Sequence, residues 1–116
     1  MKIQDTLYAK YIHEREGLSI LEDESSFITY KFVEKECFIA NMYIDPTQRG
    51  SLKLRNLIDQ LSEIAKQNGC EVISANMYVE AKTIKMALIA ALKIGFEIIA
   101  ANNGALLIVK ELKGDI

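Results

Sequence analysis

The chain has one histidine, one proline, two cysteines and no tryptophan. The histidine, His13, has no cysteine or second histidine at ligand spacing, which argues against a metal centre; between Ile12 and Glu14 it reads as a partly exposed surface residue. Cys37 and Cys70 sit in apolar, strand-like contexts and read as reduced core residues rather than a disulfide framework. No internal repeat, low-complexity tract or linker interrupts the sequence, and no apolar run approaches the length of a membrane span. The opening MKIQDTLYAK lacks the apolar core of a secretory signal. Charge of neither sign dominates: 14 Lys and Arg against 16 Asp and Glu leave a net charge of −2. With no basic footprint, neither nucleic acid nor an anionic membrane is expected as a partner. A cytoplasmic protein is expected, and its 116 residues suffice for a single domain spanning 1–116.

Hydrophobic periodicity divides the chain into nine elements. Ile3, Leu7, Tyr8, Tyr11 and Ile12 recur at helical spacing, with Asp5 and Thr6 as candidate caps and Gly17 as a stop, which predicts a helix over Asp5–Glu16. Leu18–Glu22 and Phe27–Val33 alternate as strands around the polar turn Glu22–Ser26, and Glu34–Glu36 forms the next turn. Cys37–Ile44 is apolar on both faces, the pattern of a central strand covered from both sides. Pro46 closes it. Leu54, Leu57, Ile58, Leu61, Ile64 and Ala65 then mark a helix ending near Asn68-Gly69. Cys70–Val79 is another two-faced strand, and Ile84, Ala87, Leu88, Ala91 and Leu92 mark a helix stopped by Gly95. The last two strands close as a hairpin at Asn102-Asn103-Gly104. A helix between the third and fourth strands lets them lie parallel in an otherwise antiparallel sheet. The expected fold is a mixed α/β sandwich of about six strands, with helices on both faces.

The most informative stretch is Tyr43–Leu61: strand end, a turn holding Arg49 and Gly50, then a long amphipathic helix. A strand that feeds a helix through such a turn aims free N–H groups and the positive end of the helix dipole at an anion. A phosphorylated cofactor is expected here.

The element order, with QRGSLKLRNLIDQLSEIAKQNGC in the middle and AALKIGFEII near the end, resembles the GNAT superfamily of acetyl-CoA-dependent N-acetyltransferases. It looks most like the short GNAT-like proteins of bacteriophages. The resemblance runs from about Tyr11 to Leu112; its most specific parts are Asp45-Pro46 with Gln48-Arg49-Gly50, and Lys93-Ile94-Gly95-Phe96-Glu97. It implies a twisted sheet whose central parallel pair splays apart, and acetyl-CoA as the cofactor substrate. The strand residues Met42, Tyr43 and Ile44 would meet the pantetheine arm. The loop Gln48, Arg49, Gly50, Ser51, Leu52, Lys53 and Leu54 would meet the pyrophosphate. Asn41, Met42 and Tyr43 would form one wall of the slot, with Ser74, Ala75 and Asn76 opposite.

The chain departs from the family pattern at three places. Leu52 and Leu54 stand where the loop's second and third small residues belong; Leu54 lies on the core stripe with Ile58 and Leu61, whereas Leu52 points away from it and towards the expected anion. Ala91 occupies the position of the usual tyrosine acid, and Thr83 or Ile84 that of an asparagine often found near the start of that helix. The central strand carries no carboxylate, so Glu36, Asp45 and Glu80, all at strand ends, are the candidate bases, though solvated charge is the default reading of each. Tyr43 and Glu80 are the weak catalytic candidates. Lys53 and Arg55 flank the loop and could meet phosphate. Asn41 and Asn76 are polar amides inside apolar strands and need partners, either each other, a water or a ligand. Two readings stay open: an N-acetyltransferase acting on a primary amine (a protein lysine, an N-terminus or a small amine), and a non-catalytic GNAT-fold module that binds a partner. A homodimer through the last hairpin or a sheet edge is compatible with both.

Overall fold

The computed structural model describes residues 2–3, 6–49, 51–78 and 84–112. Strands β1 (Lys2–Ile3), β2 (Ser19–Glu22), β3 (Ser26–Val33), β4 (Glu36–Ile44), β5 (Val72–Tyr78), β6 (Glu97–Asn102) and β7 (Ala105–Glu111) form one sheet in the order β1-β2-β3-β4-β5-β7-β6. Every pairing is antiparallel except β4–β5. That parallel pair is joined by helix α2 (Ser51–Gln67), as a crossover requires. The strand beyond the expected six is β1, two residues placed at the edge beside β2.

Helices α2 and α3 (Ile84–Lys93) cover one face. Leu54, Leu57, Ile58, Leu61 and Ala65 of α2 pack with Ala91 of α3 onto Leu21, Ile28, Tyr30, Cys37, Ile39, Ile73, Ala75 and Ile108. Cys37 and Cys70 are both free and buried, as their apolar context predicts. Helix α1 (Leu7–Glu16) covers the other face only near β2, where the alternation of the strand turns Ile20 away from Leu21. Thr6 caps α1 through its hydroxyl, and Gly17 ends it at φ 68°. The helix is turned from its predicted orientation. Ala9 and Ile12 are its buried residues, while Leu7 is 84% exposed and Tyr8 and Tyr11 face solvent. Tyr11 instead pairs with Arg15 through its hydroxyl and ring.

Two turns set the sheet's registers. Glu34-Lys35 joins β3 to β4 with Glu34 at φ 57°, so Glu36 pairs with Val33 rather than lying in the turn. Asn103-Gly104 joins β6 to β7 with both residues at positive φ, the geometry that favours Asn-Gly in two-residue hairpins, and Asn102 is the last residue of its strand.

Candidate functional site

A bulge in β4 creates the opening. Thr29 pairs with Asn41 but Tyr30 pairs with Ile39, so Ala40 is an extra residue on the β4 side. Before it Cys37 and Ile39 face the α2 side; after it Met42 pairs with Ile28 and Ile44 packs against the same core. The parallel pairing to β5 stops at the same point. It runs from Glu36–Val72 to Ile39–Ala75 and ends there, although β4 continues to Ile44 and β5 to Tyr78. Past Ile39 the two strands separate. Asn41 and Asn76 are exposed, and Met42 and Tyr43 are 41% and 47% exposed, which is unusual in the middle of a sheet.

The main chain lines this opening. Asp45 N–H donates to the Ser25 carbonyl at 2.7 Å, which makes Ser25–Asp45 a hydrogen-bonded pair. Antiparallel alternation then places Met42 and Ile44 at positions not bonded to β3, so their N–H and C=O groups point towards β5. Arg49 Nε donates to the Ile44 carbonyl at 2.8 Å. The Met42 groups and the Ile44 N–H are left to face the gap.

The start of α2 closes one end. Asp45 caps the 3-10 turn Pro46–Gln48, accepting from the Thr47 N–H at 2.9 Å and its hydroxyl at 2.8 Å. Those two bonds, with Arg49 nearby, hold the Asp45 carboxyl below the usual carboxylate range. The Arg49 guanidinium lies 5.7 Å from the Tyr43 ring centre, and Tyr43 stacks on Phe27 at 6.1 Å. Gln48 and Arg49 are both exposed. Leu54 is buried in the core, whereas Leu52 is 72% exposed. Gly50 and the side chain of Ser51 lie outside the described residues.

Lys53, expected near phosphate, is instead paired with Asp23. Its Nζ donates to Asp23 Oδ2 at 2.6 Å, with both side chains about three-quarters buried. Asp23 Oδ1 accepts from the Ser25 N–H and the Ser26 hydroxyl, each at 2.8 Å. Burial pushes the Asp23 carboxyl up, but the Lys53 ammonium, the Ser25 N–H and the Ser26 hydroxyl outweigh it and hold the group well below the usual range. This cluster fastens the β2–β3 turn to the first turn of α2. Asp23 with serines two and three residues on is an Asx-turn signal in the sequence; the partnership with Lys53, 30 residues away, carries none.

The other predicted residues divide. Asn41 Nδ2 donates to Thr29 Oγ1 at 3.2 Å, so its partner is the neighbouring strand and not Asn76. Ser74 belongs to the paired part of the strands, opposite Phe38, and is buried; its hydroxyl donates to Glu36. Ser74 is therefore no wall of the slot, and Glu36 lies at the end of β4 away from the opening. Ala75 is the last paired residue and Asn76 the first beyond it. Ala91 faces the core. Glu80, Thr83 and the side chains of Tyr78 and Ile84 lie outside the described residues. Such an opening can receive an extended, amide-bearing chain on its strand edge, and the helix start beside Arg49 can meet an anion at that chain's end.

A scan of family models and a search of curated proteins find no match to the chain. Solved structures do match. The PaiA N-acetyltransferase of Thermoplasma acidophilum, in complex with coenzyme A, is similar with a TM-score of 0.72 at 15% identity, over 90% of this chain and 69% of that one. The IAA acetyltransferase of Bacillus cereus gives 0.68 at 15% identity over 94% and 85% of the two chains. The YncA putative acetyltransferase of Salmonella typhimurium, solved with acetyl-CoA, gives 0.63 at 14% identity over 91% and 72%. The likeness shows that this chain has the same fold as these acetyltransferase structures.

Proposed function

We propose that the chain binds acetyl-CoA in the opening between β4 and β5 and transfers its acetyl group to a primary amine. The observation that carries this reading is the parting of the two strands at Ile39–Ala75, with the main-chain groups of Met42 and Ile44 turned into the gap. A pantetheine arm offers amide groups along an extended chain, which suits a strand edge with unpaired donors and acceptors. Acetyl-CoA would supply an acyl group activated as a thioester. The first-turn N–H groups of α2 and the Arg49 guanidinium would hold the pyrophosphate. Leu52 is exposed in the first turn of α2, and the Lys53 ammonium is already paired with Asp23.

The chemistry asked of the chain is modest. Binding would align the acceptor nitrogen with the thioester carbonyl, and the Met42 N–H would donate to the developing oxyanion. Asp45 is a poor base because its hydrogen bonds stabilise the ionised carboxylate, and Glu36 lies at the other end of the strand. Of the candidate bases Glu36, Asp45 and Glu80, then, neither described one stands ready to deprotonate the acceptor, and Glu80 lies outside the described residues. An acceptor amine with about a tenth of its population neutral near pH 7 fits better than one almost wholly protonated: an α-amino group, with a pKa of about 8, over a lysine near 10.4. The acceptor side, which among the described residues only α1 covers near β2, suits the N-terminus of a protein or a small amine better than an enclosed metabolite.

A second reading is favoured by one observation. Ala91, where relatives carry a tyrosine acid, is packed into the core, so a GNAT-fold module that binds a ligand or protein without catalysis retains support. Calorimetry with acetyl-CoA and with CoA tests the site, and mass spectrometry of an amine acceptor tests the transfer. Micromolar binding with acetyl transfer establishes the first reading, and binding without transfer the second. No binding at millimolar ligand rejects the site itself.

A further inference from the structure

The sheet has two edges of very different kinds. At one, β1 is only two residues long, which limits any strand that could add to it. At the other, β6 runs Glu97-Ile98-Ile99-Ala100-Ala101-Asn102, exposed along its whole length. It carries no lysine or proline, the residues that usually blunt such an edge. Ile98 is 46% and Ile99 57% exposed. Helix α3, which leads into this strand, repeats the theme: beyond the residues it turns to the core, Met86, Ile89 and Leu92 are exposed. A helix apolar on its outward side as well as its inward side is normally covered.

We infer that β6 and the outward side of α3 form the interface of a symmetric homodimer in which two β6 strands pair antiparallel. A second copy fits because the strand is complementary to itself. With the two-fold axis between Ile99 and Ala100, each Ile99 lies against an Ala100, each Ile98 against an Ala101, and Glu97 faces Asn102 rather than another carboxylate. Large side chains meet small ones and no like charges oppose. The main chain is also ready. In the two-residue hairpin Asn102 and Ala105 are the hydrogen-bonded pair, so Ala101 turns its N–H and C=O to the open edge. The irregularity at Ile99 shifts the phase of the strand, which lets Ile98 and Ala101 share that edge although their numbers differ in parity. Six residues span about 20 Å, a narrow contact by itself. Met86, Ile89 and Leu92 of α3 would have to add the further area that a stable dimer needs, on the order of 800 Å² per protomer.

The inference does not depend on the acetyl-CoA site. Its test is sedimentation of the purified protein at about 0.1 mM, with hydrogen exchange of the Ala101 amide. A dimer of twice 13.1 kDa is expected, with Ala101 protected. Ile99→Lys places a charge on the edge, and Ala101→Pro removes only an outward-facing donor; each should give a monomer that keeps the native circular dichroism. In Ile99→Lys the Ala101 protection should fall by about tenfold or more. Leu7→Lys, on the exposed side of α1, should leave the dimer intact. A wild-type monomer overturns the inference whatever the variants do. So does a dimer that survives both β6 substitutions, or one that Leu7→Lys dissolves.

Discussion

Replacing Asp23 by asparagine should destabilise the protein at neutral pH and flatten its response to acid. The carboxylate accepts from Lys53 at 2.6 Å and from Ser25 and Ser26 at 2.8 Å each, in a pocket where both members of the ion pair are about three-quarters buried. Charge-assisted bonds are roughly twice as strong as neutral ones. The amide of asparagine can still accept from Ser25 or Ser26, but it leaves Lys53 partly buried without a counter-charge. Taking about 2 kcal/mol for losing one such charged contact, the melting temperature should fall by roughly 8 °C for a domain of this size. The pH dependence follows from the sign of the shift. The folded-state pKa of Asp23 lies below its unfolded value of about 3.9, so the stabilisation is fully present above that value. It is lost as the pH falls from there towards the folded-state pKa. Urea unfolding of wild type and Asp23→Asn between neutral and acid pH should therefore give curves about 2 kcal/mol apart at pH 7 that converge in acid. A gap that stays constant with pH, or one below about 0.5 kcal/mol at pH 7, would refute the electrostatic account of this cluster.

Arg49→Ala should weaken CoA and acetyl-CoA binding by about tenfold, the loss of one charge-assisted phosphate contact; calorimetry reads it directly, with the melting temperature as a check on the fold. Leu52→Ala removes an exposed side chain from the expected path of the anion, so affinity should rise several-fold without loss of stability, and an unchanged or weaker affinity would show that Leu52 is not the obstacle. Burial pushes the Cys37 thiol up to about 12 and the Cys70 thiol up as well. Neither should react with a disulfide reagent at pH 8 in the native protein, and both should react in denaturant.

The sequence carries the order of elements because each switch of period is punctuated by a residue with one structural use: Gly17 and Gly69 at helix ends, Pro46 after β4, and Asn103-Gly104 in the last hairpin. The orientation of α1 was not legible. Leu7, Tyr8, Tyr11 and Ile12 outweigh Ala9 in any hydrophobic stripe, yet the residues the helix buries are Ala9 and Ile12, and Ile3 belongs to β1. The bulge at Ala40 was hidden too. In Cys37–Ile44 both phases of the alternation are apolar, so a strand that changes phase halfway has the same pattern as one that does not.

That hidden phase change ties fold to function. Without the extra residue, the inward set Cys37 and Ile39 would continue as Asn41 and Tyr43, placing an amide and a phenol against the apolar α2 face. With it, Met42 and Ile44 take those inward positions, and Asn41 and Tyr43 move to the opposite face, bonded to Thr29 and stacked on Phe27. The same residue marks where pairing with β5 ends. One irregular position thus keeps the core apolar, opens the sheet and presents the Met42 and Ile44 main chain to the gap. Leu52, Lys53 and Ala91 alter what surrounds that gap, yet none of them closes it. On the proposed reading, binding of an extended ligand would rest on the backbone of β4, and Leu52, Lys53 and Ala91 would bear mainly on affinity and on the fate of the proton.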